Sequence, residues 1–211
     1  MKIAIIGSGN VGGALAQRFV KAGHTVLVGA QFPLSDKNAA LAAIIGIDQF
    51  IDSRSAVEQA DIVFLATPFQ ANKEVLHNLQ FNEKTLVDCT NPVGPGISHG
   101  LESKISGGEK VQQWAPDAHV VKAYTIYGFE NFLESSFPNY NVKPVMMIAG
   151  NNLEAKKQVS ILNSDLGFET LDTGALDQAL HLEHMTLLWV KMVRRDQHHP
   201  NFVWGYLEKY S

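Results

Sequence analysis

Residues 1–19 read MKIAIIGSGNVGGALAQRF. A short apolar run, Ile3–Ile6, meets Gly7-Ser8-Gly9-Asn10-Val11-Gly12, and a segment of helix formers follows. This is a G-x-G-x-x-G between a strand and a helix. In that setting Gly7 permits the tight turn, Gly9 lets a diphosphate approach the backbone, and Gly12 lets helix and strand pack closely. The amino end of the helix carries about half a positive charge, which suits a phosphate. Two other readings of the turn are a purely structural glycine bend and an S-adenosylmethionine site.

The rest of the chain repeats the opening alternation. KIAIIG, HTVLVG, ADIVFLATP, KTLVDCTNP, AHVVKAY and KPVMMIAG are short β-branched runs that read as buried strands. NVGGALAQRFVKAG, SRSAVEQA, FQANKEVLHNL and GGEKVQQWAPD lie between them with helical spacing. Such alternation implies a parallel sheet covered on both faces. NNLEAKKQVSILNSDLG predicts a helix capped by Asn151 or Asn152 and ended by Gly167. FETLDTG reads as a further strand, ALDQALHLEHMTLLWVKMVRR as the longest helical pattern, and HHPNFVWGYLEKY as an aromatic tail. The expected fold is α/β: a Rossmann-type, doubly wound, mostly parallel sheet. It forms a single dinucleotide-binding domain over 1–211, in which 176–211 are a C-terminal helical extension.

Bulk composition narrows the function. The 211 residues carry a formal net charge of -4 and no basic stripe, which argues against nucleic acid. One cysteine, Cys89, allows neither an intrachain disulfide nor a thiolate cluster. No run reaches the roughly 20 apolar residues of a membrane span, and the opening run is too short for a secretory core. The expectation is a cytoplasmic protein without a membrane partner.

The cofactor is read at the end of the second strand. An NAD site places an acid about 20 residues after the turn. Here Gly29, Ala30 and Gln31 stand in that place, and none is acidic. That favours NADP and leaves NAD open. Gln31 offers one hydrogen bond, and Lys37 offers a point charge for a 2′-phosphate. In an open parallel sheet, ligands sit beyond the carboxyl ends of the strands. The residues in that position are Thr67, Pro68 and Phe69, then Asn91 and Pro92, then Lys122, Ala123 and Tyr124. Phe69 would shield a nicotinamide face or flank the adenosine, and Asn91 would bond near the carboxamide or ribose. Turn chemistry alone also explains the Thr-Pro and Asn-Pro pairs.

At these residues the chain resembles the deazaflavin-dependent NADP oxidoreductases. That family includes the cytosolic reductase domain of the six-transmembrane ferric reductases. The resemblance rests on IGSGNVGGALAQRFVKAGHTVLVG, VDCTNPVG, VVKAYTIYG, VMMIAGNNLEAKKQV and LGFETLDTGAL. LEHMTLLWVKMV and PNFVWGYL resemble a bacterial subset of the family. The resemblance implies NADPH, hydride exchange with a flavin or deazaflavin as co-substrate, and a homodimer. The family usually carries Ser-Arg where Ala30-Gln31 stand, and Asn where Thr125 stands. The first departure bears on NADP specificity and the second on the acceptor.

Hydride transfer between nicotinamide and flavin-type rings needs no protein acid, because the protein stacks and orients the two rings. No catalytic group is therefore singled out. Lys122, Tyr124 and Thr125 are the candidates for the pocket of a small-molecule acceptor. Lys122 would face a reduced ring or a phosphate tail, or else water. His181 and His184 share a helix face and His198-His199 follow, but nothing brings three ligands together, and no metal site is expected. Leu180, Met185, Leu188, Trp189 and Met192 form a stripe for core or dimer contact. Phe202, Trp204 and Tyr206 would line an acceptor pocket or dock on the body or a partner subunit. Two other functions fit the sequence. One is a flavin-mediated ferric or cupric reductase; the other is a non-enzymatic redox sensor that binds NADP(H).

Overall fold

The computed structural model describes residues 1–30 and 35–209. In chain order the strands are β1 (Lys2–Ile6), β2 (Thr25–Gly29), β3 (Phe50–Ile51), β4 (Ile62–Leu65), β5 (Thr85–Asp88), β6 (Val93–Gly94), β7 (Ser98–His99), β8 (His119–Lys122), β9 (Val145–Gly150) and β10 (Glu169–Asp172). The helices are α1 (Asn10–Lys21), α2 (Asp36–Ile45), α3 (Ser53–Gln59), α4 (Asn72–His77), α5 (Gly107–Trp114), α6 (Glu130–Leu133), α7 (Leu153–Asp165) and α8 (Ala179–Val190).

Successive side chains of a strand point to opposite faces of its sheet. Along the central strands that alternation sorts the apolar residues into two cores. Ile3, Ile5, Val26, Val28, Ile62, Phe64, Val87 and Val121 pack with Leu15 and Phe19 of α1, Leu41 of α2, and Val159 and Leu162 of α7. Ala4, Ile6, Leu27, Val63, Leu65, Leu86 and Val120 pack with Ala56 and Val57 of α3, Leu76 of α4 and Val111 of α5. Both faces are covered, so the strands read as continuous apolar runs.

The main sheet has the order β10-β9-β8-β5-β4-β1-β2-β3. From β3 to β8 all pairings are parallel; β9 runs antiparallel to β8, and β10 is parallel to β9. This is the doubly wound, mostly parallel sheet expected from the sequence. The chain runs from β1 out to β3 and returns to β4 on the other side of β1. That reversal opens a crevice beyond the carboxyl ends of β1 and β4. β3 and the antiparallel pair β6–β7 are additions the sequence does not announce.

Asn152, not Asn151, caps α7, accepting the Ala155 N–H at 2.9 Å; Asn151 instead receives the Leu176 N–H. α8 continues into one π-helical turn, Lys191–Arg195. Its buried side is Leu182, Glu183, Thr186, Leu187 and Trp189, so the stripe lies differently from the one read in sequence, with Leu188 49% exposed. The tail docks on the body: the Trp204 carbonyl accepts the Val145 N–H at 2.9 Å, and the Phe202 ring lies between Trp189 and Trp204. Tyr206 stays exposed.

Candidate functional site

The G-x-G-x-x-G turn has the geometry its spacing predicts, and each glycine has its own reason. Gly7 sits at φ +107°, and a Cβ there would stand 2.7 Å from the Ala66 carbonyl oxygen. A Cβ on Gly12 would stand 2.0 Å from the carbonyl oxygen of Gly7. These two glycines are demanded by the fold. Gly9 differs: it has φ -71°, which any residue adopts, and a Cβ there would meet nothing within 4 Å. Its bare backbone faces open space at the head of α1. No side chain caps α1, and no acid stands in its first turn. By contrast α3, α5 and α7 are capped by Asp52, Ser106 and Asn152. A cradle of backbone N–H groups with room for an anion suits a diphosphate.

The turn opens onto a cleft of about 830 Å³. Ser8, Gly29, Ala30, Ser35 and Thr67 line it beside Gly7, and α4 contributes Glu74 and Val75. Arg54, from the first turn of α3, is the one basic side chain among the described lining residues. It was not singled out in the sequence, because it follows β3, a strand of only two residues. Asn10 and Val11 begin α1 beside the turn. Gln31 lies outside the described residues, as does the side chain of Lys37, whose backbone belongs to the first turn of α2.

Beyond β4 and β5 the candidates divide. Thr67 faces the cleft, and its hydroxyl donates to Asn72 Oδ1 at 2.7 Å. Pro68 is exposed and starts a 3-10 turn. The Phe69 ring turns inward, with its centroid 5.7 Å from that of Trp114. Together with Pro92 it packs against Gly107, where a Cβ would meet both rings at about 3 Å. The expectation that Phe69 shields a bound ring is therefore corrected: its place is under α5. Asn91 is half-buried, with Oδ1 3.0 Å from Thr186 Oγ1 of α8.

The three candidates for an acceptor pocket are also placed inward. Tyr124, at φ +56°, is 1% exposed and packs with Phe64 and Phe132. Burial pushes its phenol well above the usual range. Thr125 is buried too, and its carbonyl accepts the Thr186 hydroxyl at 2.8 Å. Lys122 has no exposed surface. Its ammonium lies 2.9 Å from Asp88 Oδ2 and 2.8 Å from Glu183 Oε1, and it also donates to the Thr90 carbonyl. It faces neither a ring nor water.

Around Lys122 the fold builds a buried polar chain. Glu183 accepts the N–H groups of Gly107 and Gly108, at 2.9 and 3.1 Å, at the amino end of α5. Its Oε2 also lies 2.8 Å from His99 Nε2. His99 Nδ1 accepts the N–H groups of Leu101 and Ser103, so the ring's proton sits on Nε2 and is given to Glu183. Burial alone would raise Glu183, but the attraction of Lys122, its hydrogen bond and the Gly107 N–H hold it below its usual value. Burial would lower Lys122, and the charges of Asp88 and Glu183 raise it instead. Asp88, Asn72, Thr90, Glu183 and His99 were all missed in sequence. The available signal was polar residues inside apolar runs, such as Asp88 in TLVDC.

His181 and His184 are exposed on α8, and His184 Nε2 lies 2.9 Å from Ser103 Oγ. Among the described residues no cluster of three or more His, Cys, Asp or Glu side chains is placed to hold a metal.

Comparison with known proteins places this geometry. Residues 2–92, from β1 through the residues after β5, match the family model described as NADP oxidoreductase coenzyme F420-dependent. The chain is 31% identical to the metalloreductase STEAP3 of Rattus norvegicus, over 88% of this chain and 36% of that protein. It therefore spans about a third of that relative's length. It is 27% identical to the F420-dependent NADP reductase of Methanothermobacter thermautotrophicus, over 93% of this chain and 91% of that one. The crystal structure of a putative F420-dependent NADP reductase from Arthrobacter sp. FB24 shares the fold, with a TM-score of 0.79 at 23% identity over 99% of this chain and 100% of that one. The resemblance read from the sequence therefore holds: the chain is similar along most of its length to the F420-dependent NADP reductases and shares their Rossmann-type fold.

Proposed function

We propose that this protein binds NADPH in the cleft beyond β1 and β4 and delivers its hydride to a flavin-like acceptor, with a deazaflavin the first choice. The observation that carries the reading is Gly9. It is a glycine that backbone strain does not require, standing bare at an uncapped helix start beside an 830 Å³ cleft. A diphosphate seated there would receive the N–H groups that begin α1, from Gly9, Asn10 and Val11. Ser8 and Thr67 line the route towards the two riboses. Ala30 permits close approach at the end of β2, and Arg54 supplies the positive charge for a 2′-phosphate that the end of β2 lacks. Pro68 and Asn91 follow β4 and β5 towards the same crevice, with Asn91 Oδ1 3.0 Å from Thr186 Oγ1; Pro92 packs under α5 with Phe69.

The nicotinamide supplies the hydride when bound. What the chain contributes is placement: amides for the diphosphate, a cleft open at the head of α1, and a rigid floor. That floor is the buried Lys122 cluster, which ties β5, β8, α5 and α8 together behind the crevice. In this reading 1–211 act as one domain with 176–211 as its helical extension, and two copies form the working unit. The similarity to a metalloreductase over 88% of the chain supports a second reading, in which a reduced flavin passes electrons on to ferric or cupric ions.

The test is oxidation of NADPH and NADH by the pure protein against coenzyme F420, FMN, FAD and ferric chelates. Turnover with NADPH and a deazaflavin or flavin is the expected result. Turnover confined to NADH would overturn the cofactor preference. Binding of NADPH without turnover on any of these acceptors would leave a sensor in place of the enzyme.

A further inference from the structure

The hydrogen-bonded chain that ends at Thr67 has a direction, and the direction is imposed from its buried end. Asp88 Oδ2 is ion-paired with Lys122, and Asp88 Oδ1 accepts the Thr90 N–H at 2.9 Å. Both oxygens act as acceptors. The Thr90 hydroxyl, 2.7 Å from Oδ1, donates to it, because a bond to a carboxylate is roughly twice as strong as one to a neutral group. A hydroxyl has a single proton. Thr90 Oγ1 can then only receive from Asn72, whose Nδ2 stands 2.9 Å away. Asn72 has no exposed surface, and its amide is thereby fixed with Oδ1 towards Thr67. The Thr67 hydroxyl gives its proton to that oxygen at 2.7 Å. What Thr67 has left to offer the cleft is lone pairs.

We infer that Thr67 is a donor-selective recognition residue, and that Asn72, Thr90 and Asp88 are positioning residues that impose this polarity on it. A ligand atom seated on Thr67 Oγ1 must bring an N–H or O–H. A phosphate oxygen, which has lone pairs only, is repelled there. The crevice is thus divided by hydrogen-bond polarity: the amides of α1 face the diphosphate, and Thr67 faces a donor. The inference rests on the dinucleotide reading above. On that ligand the matching donors are a ribose hydroxyl and the carboxamide N–H.

The experiment measures dissociation constants by calorimetry for the full chain and for Thr67→Val and Thr90→Val. The ligands are NADPH, its 3-acetylpyridine analogue, which has a methyl in place of the carboxamide nitrogen, and analogues lacking one ribose hydroxyl. The wild type should bind one analogue about tenfold more weakly than NADPH, the effect of one lost hydrogen bond. The analogue affected tells carboxamide from ribose. In Thr67→Val the ratio should fall to near one. In Thr90→Val it should shrink, because Asn72 loses its acceptor, its amide is free to turn, and Thr67 regains a proton to give. Equal binding of every analogue by the wild type would overturn the inference. So would a ratio unchanged in Thr67→Val, or unchanged in a folded Thr90→Val. Failure of the folded wild type to bind NADPH itself would overturn the dinucleotide reading as well, and is seen separately.

Discussion

Replacing Gly9 by alanine separates the fold from the site. The position has φ -71° and ψ -168°, and a new Cβ would touch nothing within 4 Å. The only structural cost is that alanine is a poorer helix N-cap than glycine, up to about 1 kcal/mol. In a chain of this size that lowers Tm by roughly 2–4 °C. The methyl would, however, stand where a diphosphate oxygen must approach the α1 amides. Losing one charge-assisted hydrogen bond costs about 1.5–3 kcal/mol, which weakens NADPH on the order of 10- to 100-fold. Thermal unfolding with and without NADPH reads both quantities in one assay. The Gly9→Ala protein should melt within a few degrees of wild type and lose most of its protection by NADPH. A variant that folds normally and keeps wild-type NADPH affinity would refute the argument that the empty space at Gly9 is reserved for a ligand.

Other substitutions should separate along the same lines. Gly12→Ala, with its Cβ 2.0 Å from the Gly7 carbonyl oxygen, should destabilise the protein by about 2 kcal/mol or more in urea titration, whether or not cofactor is present. Lys122→Met leaves Asp88 and Glu183 buried without their cation and should cost about 3–5 kcal/mol in the same assay. The Glu183 carboxyl is held below its ordinary 4.5, so its contribution to stability is full above that pH and is lost as pH falls through the lowered value. Lys122, held above 10.5, contributes fully below that pH and loses its share as pH rises through the raised value. Stability measured against pH should therefore show an acid limb that is reduced in Glu183→Gln and an alkaline limb that is reduced there as well, because Glu183 is one of the two charges that raise Lys122. Arg54→Gln should weaken NADPH about tenfold and NADH little, measured by fluorescence titration. Equal losses for both cofactors would remove Arg54 from 2′-phosphate recognition.

Much of the fold is written locally. KIAIIG, HTVLVG and IVFL carry side chains buried on both faces, so they form unbroken apolar runs, and Gly7 and Gly12 after β1 are glycines that sterics require. Direction is another matter. VMMIAG is apolar throughout, and that pattern is the same whether β9 runs parallel or antiparallel to β8. β3 has two residues, too few for any period to register, and with it went the placement of Arg54. On α8 the apolar residues encircle most of the helix, so sequence could not fix which stripe faces inward.

The candidate site was legible where it depends on backbone and illegible where it depends on side chains meeting across the sheet. The steric roles of Gly7 and Gly12 could be assigned from spacing alone. Lys122 at a strand end invites a functional reading, because an isolated lysine next to a crevice looks available. Its partners Asp88 and Glu183 stand far from it in sequence, and only the folded sheet brings them to its ammonium. Tyr124 and Phe69 show the same limit: each follows a strand into the crevice region, and each ring is then taken up by the core.

The most direct measurement of the central claim is a crystal structure of the protein with NADP⁺ bound. The account predicts the diphosphate seated on the N–H groups of Gly9, Asn10 and Val11, with Thr67 turned to a hydroxyl or carboxamide N–H and not to a phosphate. A dinucleotide bound elsewhere on the surface, with the turn at Gly7–Gly12 left without a phosphate, would contradict it.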